Sequence, residues 1–298
     1  MRQERIAAGA AVGGAVTVQV GAAIGATIFP LVGPAGVVAL RQAVAAVALL
    51  VVARPRLRSL GWRNLRPAVL LGLVLVAMNL TLYGAVERIG LGLAVTLEFL
   101  GPLAVALLGS RRRLDLACAV LAGVGVVLLT GTVPGLDPIG ILLGLTAAAS
   151  WAAYILLSQR AGRTLPGIQG TAVASVVAAA ITSPLLVIAL AGLAPEQLLH
   201  VALVGLAAGT LSSALPYSID LLVLRRIPRQ LFGVLQSVHP AAAAIAGFLV
   251  LGQTLGAWQV AGLALITLGN VIAVGWARSA ASVTEPPGRR VVPARAVG

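Results

Sequence analysis

Glu87-Arg-Ile-Gly-Leu-Gly-Leu-Ala-Val-Thr-Leu-Glu-Phe-Leu-Gly-Pro102 has an echo in Arg225-Arg-Ile-Pro-Arg-Gln-Leu-Phe-Gly-Val-Leu-Gln-Ser-Val-His-Pro240. Arg88 and Arg226, Ile89 and Ile227, Leu93 and Leu231, Leu97 and Leu235, and Pro102 and Pro240 are identical pairs at a constant separation of 138 residues. In both stretches a short charged gap leads into an apolar segment that a proline interrupts. The separation is close to half of the 298-residue chain, which points to two related halves.

The gaps at the start of the two stretches differ in charge. Arg88 is the sole arginine of its gap, whereas Arg226 shares its gap with Arg225 and Arg229. The same alternation runs along the whole chain. Arg2 and Arg5; Arg54, Arg56, Arg58, Arg63 and Arg66; Arg111, Arg112 and Arg113; Arg160 and Arg163; the Arg225 group; and Arg278, Arg289, Arg290 and Arg295 occupy the two ends and every second gap. These groups hold nineteen of the 21 basic residues; the others are Arg88 and Arg41, and Arg41 lies inside an apolar segment. Basic loops stay on the cytoplasmic side of a membrane. The pattern predicts ten crossings with both termini inside.

Composition points the same way. Apolar residues make up 59% of the chain, charged residues 10%, and mean hydropathy is +1.04, whereas soluble domains carry roughly 25% charged residues. A net charge of +13 would suggest nucleic acid in a soluble protein. Here the arginines are loop anchors in a lipid bilayer, and no nucleic-acid partner is expected. The single cysteine, Cys118, excludes an internal disulfide. The first apolar run, Ile6 to Ile28, exceeds the 7–15 residues of a signal-peptide core and reads as a retained span.

A crossing needs about 20 apolar residues. The expected spans are 6–28, 34–53, 67–86, 91–109, 114–132, 138–159, 168–190, 198–221, 230–251 and 257–277. Pro30 with Gly33-Pro34 divides the first long run, Pro67 opens the third span, and Pro134 with Pro138 marks mid-chain. Residues 1–132 form a first five-helix repeat and 133–278 a second. The polar, proline-rich 279–298 is a disordered cytoplasmic tail. Five spans per half is an odd number, so the second half enters from the opposite face and the repeat is inverted. The expected class is an all-α integral membrane protein. Inverted repeats around a central site are typical of alternating-access transporters.

Ionisable groups at bilayer depth cost several kcal/mol by order of magnitude and face cavities or partners. Arg41, Glu98, Asp220 and His239 qualify. Glu98 lies seven residues from the outer end of its span, about 10 Å deep, and Pro102 frees its carbonyl. Arg41 lies equally far from the outer end of its own span, so the two can be level. If paired, Arg41 keeps Glu98 ionised; if unpaired, Glu98 suits proton coupling. His239, before Pro240, can carry a proton near neutral pH. Asp220, near Arg225 and Arg226, reads as a gate residue. Gln19, Asn79 with Tyr83, Ser150 with Tyr154 beside Trp151, and Ser212, Ser213 and Tyr217 around Pro216 are uncharged polar groups at similar depth. Spacing of four residues puts side chains on one helix face. Trp62, Trp258 and Trp276 sit at span ends as interface anchors. No metal spacing, Gly-Lys-Ser/Thr phosphate loop or Gly-x-Ser-x-Gly elbow occurs. No cofactor or enzyme activity is expected, and transport would run on a gradient.

Phe29-Pro-Leu-Val-Gly-Pro-Ala-Gly-Val-Val-Ala-Leu-Arg41, Leu97-Glu-Phe-Leu-Gly-Pro-Leu-Ala-Val-Ala-Leu107, Ser150-Trp-Ala-Ala-Tyr-Ile-Leu-Leu-Ser-Gln-Arg-Ala-Gly162 and Ser213-Ala-Leu-Pro-Tyr-Ser-Ile-Asp220 resemble the EamA branch of the drug/metabolite transporters. Within it, the chain is similar to the threonine/homoserine exporters over nearly all of 6–277. The resemblance implies ten helices in two inverted repeats. It also implies export of small amino acids or related metabolites across the bacterial inner membrane, in exchange for protons. Gln19, Arg41, Asn79, Glu98, Trp151, Tyr154, Tyr217 and Asp220 sit at family-like positions. Two departures stand out. His239 replaces the acidic residue before the ninth-span proline, and Gln253 replaces the last residue of Leu-Gly-Glu. Both remove a carboxylate from the second half and shift its work to Glu98. Export of an aromatic amino acid, nucleoside or amphipathic compound is the alternative within transporters; a non-transporting scaffold is the alternative outside them.

Overall fold

The computed structural model describes residues 2–54, 61–107, 137–227 and 238–265, with isolated positions within 117–128, 232–236 and 267–272. These residues are helical throughout apart from turns and short connections. The helices are α1 (Arg2–Ala26), α2 (Phe29–Ala53), α3 (Trp62–Ile89), α4 (Leu91–Glu98), α5 (Leu100–Leu107), α6 (Pro138–Thr164), α7 (Gln169–Leu190), α8 (Pro195–Gly209), α9 (Leu215–Leu224) and α10 (Val238–Leu251). A π turn, Thr210–Ala214, joins α8 to α9. Residues 257–265 begin a further helix. The expected span 114–132, the end of 257–277, Trp276 and the tail 279–298 lie outside the described residues.

Six segments are long and apolar enough to cross a bilayer: Gly9–Ala26, Phe29–Ala53, Trp62–Ile89, Pro138–Thr164, Gln169–Leu190 and Pro195–Leu224. Leu91–Val105 and Val238–Leu251 are shorter apolar helices. Several boundaries differ from the sequence reading. The first two helices part at Thr27 and Ile28, and Pro30 sits in the first turn of α2, where its missing N–H costs little. Gly33, at φ +66°, kinks α2 without ending it. Pro67 does not open the third helix; α3 starts at Trp62. The expected 91–109 helix is broken at Phe99 into α4 and α5.

The break at Phe99 coincides with Pro102, which cannot donate to the Glu98 carbonyl, and with a close approach to α6. Gly101 follows it and lies directly against the Ala148 carbonyl of α6, where an added Cβ would also meet the Ala152 nitrogen at 3.1 Å. Only glycine lets the two backbones come this close. The ring of Phe99 then meets Trp151 edge-on, with centroids 6.1 Å apart.

α3 packs on α6 and α7, α2 packs on α7, and α1 packs on α10, α9 and the π turn, while α4 touches both α6 and α10. One end of the bundle is closed by polar contacts between connections. Arg88 donates to Asp137 Oδ2 at 2.5 Å, and Gln253 Oε1 accepts the Leu91 N–H at 3.0 Å. At the opposite end Arg225 donates to the Leu165 carbonyl. Gln253 therefore caps the first turn of α4. Outside the spans, the hydrogen bond and charge of Arg88 hold the Asp137 carboxyl below its ordinary pKa, and burial lowers the Arg225 guanidinium. Trp62 and Trp258 are exposed at helix starts, as interface anchors are.

Candidate functional site

α1, α2, α3, α4, α6, the π turn, α9 and α10 converge on one cavity of about 50 Å³. Its wall includes Gln19, Arg41, Asn79, Glu98, Trp151, Tyr154, Ser212, Tyr217, Asp220 and His239 of the residues singled out above, but not Tyr83, Ser150 or Ser213. Each of them is at most 8% exposed.

Arg41 is held by a local consequence of Pro216. A proline lacks the N–H that would bond the carbonyl four residues earlier, here that of Ser212. Arg41 Nη2 donates to this Ser212 carbonyl at 2.7 Å, and Nε donates to Ser213 Oγ at 3.2 Å. The guanidinium carbon lies 4.7 Å from the centre of the Tyr83 ring, a cation–π distance. The π turn at 210–214 turns these groups toward α2; such bulges recur at functional sites. Arg41 Nη1 remains buried with no hydrogen-bond partner among the described residues.

Glu98 ends α4 and faces the same cavity. Among the described residues it makes no ion pair with Arg41. The two side chains share a cavity while Arg41 is held by serines and a tyrosine.

On the other side of the cavity, the Gln19 amide nitrogen lies 2.7 Å from His239 Nδ1. An amide N–H only donates, so Nδ1 accepts and the neutral ring carries its proton on Nε2. Nε2 is buried and unpartnered among the described residues, as are Gln19 Oε1 and Gln236 Oε1. Trp151 packs edge-on to the imidazole at 4.8 Å. Asn79 donates to Tyr217 Oη at 3.0 Å and to the Leu75 carbonyl at 2.8 Å. The Tyr154 hydroxyl donates to Asp220 Oδ2 at 3.1 Å.

Two expectations change. Asp220, read as a gate residue near Arg225 and Arg226, forms an ion pair with neither among the described residues: it is buried, bonded to Tyr154, and part of the cavity wall. Ser150 does not share the inward face of Tyr154; its hydroxyl returns to the Thr146 carbonyl at 2.9 Å. Sequence reasoning also missed Gln236, which is 1% exposed and lines the cavity. It stands 138 residues after Glu98, so the repeat offset itself was the signal that could have found it. Gln253, the other departure from the family pattern, is a cap at the bundle end and not a cavity residue. Among the described residues no three His, Cys, Asp or Glu side chains gather as a metal site.

Residues 138–275 match the EamA-like transporter family. The threonine/homoserine exporter RhtA of Escherichia coli (strain K12) is 41% identical to the chain over 263 residues, covering 86% of this chain and 85% of that protein. The chain belongs to the EamA-like transporter family. The RhtA of Salmonella typhimurium (strain SL1344) is likewise 41% identical, over 84% of this chain and 85% of its own length. A solved crystal structure shares the fold, with a TM-score of 0.62 at 21% identity, covering 94% of this chain and 99% of the other. As an EamA-like transporter the protein is a multi-pass membrane protein with a small-molecule substrate.

Proposed function

We propose that this EamA-like protein exports a small amino acid, threonine or homoserine in kind, through the cavity between Arg41 and Glu98. The observation that carries the reading is the unpartnered Arg41 Nη1 in a cavity shared with Glu98. A zwitterion brings one carboxylate and one ammonium, which complement this pair. The substrate carboxylate would take the free Arg41 donor, and Glu98 would take the ammonium. His239 Nε2–H, Gln19 Oε1 and Gln236 Oε1 are left to hydrogen-bond a side-chain hydroxyl. Buried polar groups without partners cost about 1–3 kcal/mol each, so a ligand that satisfies several of them is favoured. The identity with two threonine/homoserine exporters over most of the chain supports the same substrate class.

Alternating access in two inverted five-helix repeats, 1–132 and 133–278, accounts for the arrangement. The packing partners are consistent with an exchange of halves: α1 against α10 has its counterpart in α6 against α4, and α2 against the α8–α9 segment in α7 against α3. Asn79 and Tyr217 are 138 residues apart, the offset of the sequence repeat, and they hydrogen-bond to each other. In the proposed repeat, this contact would lie at the two-fold axis between the halves. The cavity holds a few waters at roughly 10–15 Å³ each, so an amino acid needs the halves to part. Both termini and the arginine-rich gaps face the cytoplasm of a bacterial inner membrane, and a proton on Glu98 is exchanged for substrate.

A strain overproducing the protein, challenged with a panel of toxic metabolites, tests the reading. Resistance confined to threonine and homoserine is expected. Resistance to aromatic amino acids or nucleosides instead would reassign the substrate, and no resistance at full protein level would favour a scaffold.

A further inference from the structure

A second cavity, of about 370 Å³, lies at the arginine-rich end of the bundle between α6 and the end of α9, remote from the transport cavity's Glu98 end. Gln159, Gly162, Arg163, Leu224, Arg225, Arg226 and Ile227 line it. Among the described residues no carboxylate forms an ion pair with Arg163, Arg225 or Arg226. The contrast with the other end of the bundle is direct. Arg88, the repeat counterpart of Arg226, is neutralised by Asp137, whereas among the described residues Arg226 has no such acid.

Arg226 also borders an apolar groove of about 150 Å³, whose remaining walls are Ile6 and Ala10 of α1 and Ile219, Leu222 and Val223 of α9. α1 and α9 pack against each other just beyond it, where Gly14 leaves room for Ile219. The groove runs along the last two turns of α9, on the bilayer side of the arginines. A cationic pocket that continues into an apolar groove has the two-part shape of a lipid: a charged head beside a hydrocarbon chain. Basic pockets between helices at the cytoplasmic face suit anionic headgroups.

We infer that an anionic phospholipid of the cytoplasmic leaflet binds here, its phosphate on Arg163, Arg225 and Arg226 and one acyl chain in the groove between α1 and α9. The inference rests on the proposed orientation, with the arginine-rich gaps inside. Arg225 already ties α9 to the α6–α7 connection through the Leu165 carbonyl. A bound phosphate would add a bridge from α6 to α9 on the same side, and the acyl chain would extend that clamp to α1.

Native mass spectrometry of the full-length protein in detergent, mixed with phosphatidylglycerol, phosphatidylcholine or inorganic phosphate, tests it without any transport readout. Retention of one phosphatidylglycerol per chain, at least fivefold over phosphatidylcholine, is expected. Arg226→Gln and Arg163→Gln should lose that preference, while Arg160→Gln, which removes a nearby arginine outside the pocket, should keep it. Ala10→Phe fills the groove and should release lipid without touching the arginines, so the inference remains testable should an arginine variant fail to fold. Equal retention of the two lipids, protection by inorganic phosphate as strong as by lipid, or indifference to both Arg226→Gln and Ala10→Phe would overturn it.

Discussion

Arg41 does two things that a lysine cannot do together. Its planar fork spans the Ser212 carbonyl and Ser213 hydroxyl while a third nitrogen stays free. A lysine offers a compact charge on a flexible stem and cannot make this divided set of contacts. Arg41→Lys should lower amino-acid efflux at least tenfold at unchanged protein level, measured by isotope efflux from loaded cells. Gln236 contributes one amide in the proposed site. Losing one hydrogen bond costs about 0.5–1.5 kcal/mol, so Gln236→Ala should raise the apparent KM about 2–12-fold with the maximal rate preserved. A fall in maximal rate alone would remove Gln236 from substrate binding. The ionisable residues were legible in the sequence because charge inside an apolar run is conspicuous. Gln236 was not: it is neutral, and only its register with Glu98 marks it. Ser150 misled because four-residue spacing still leaves a rotation of about 40° and a rise of about 6 Å, enough to put Ser150 outside the cavity that Tyr154 lines. Asp220 was legible as an ionisable group at depth, but its partner Tyr154 was not, because nearness in sequence to Arg225 and Arg226 says nothing about rotation around α9.

At the scale of the elements, prolines did more than interrupt helices. Pro216 leaves the Ser212 carbonyl for Arg41. Pro184 similarly leaves the Ala180 carbonyl, which takes the Ser183 hydroxyl at 2.8 Å. The sequence reading divided the first run at Pro30 with Gly33-Pro34 and opened the third span at Pro67; the break lies at Thr27 and Ile28, since a proline in a first turn is compatible with a helix, and α3 begins five residues before Pro67. The break at Phe99 follows from Pro102, which leaves the Glu98 carbonyl without its helical partner; the close approach of Gly101 to α6 is a tertiary contact that no local pattern encodes. Gly101→Val should therefore destabilise the protein by about 1–3 kcal/mol, seen as a lowered Tm in detergent. The connection between Arg88 and Asp137 gives a pH test. Arg88 lowers the Asp137 pKa, so the pair stabilises the folded chain above the ordinary carboxylate value of about 4. That contribution fades as pH falls through the lowered value. Asp137→Asn should melt below the wild type at neutral pH, and the gap should close as acid protonates Asp137.

For the whole molecule, the arginine alternation and the 138-residue offset made the membrane class legible before any packing was known. Both signals are long-range and survive errors in single boundaries. What they could not supply is how closely the helices meet, because that depends on side-chain volumes; the Asn79–Tyr217 contact and the small cavity express it. The proposed orientation predicts opposite exposure of 137 and 163. In a Cys118→Ala background, Asp137→Cys in intact cells should react with a membrane-impermeant maleimide, and Arg163→Cys should react only after the membrane is opened. Reaction of both from outside would overturn the topology. The most direct test of transport through the Arg41–Glu98 cavity is counterflow of labelled threonine into proteoliposomes preloaded with unlabelled threonine. The wild type should show a transient accumulation of label, while Glu98→Gln and Arg41→Gln, reconstituted at equal density, should not exceed empty liposomes. Counterflow of equal size in all three would contradict the assignment of the cavity.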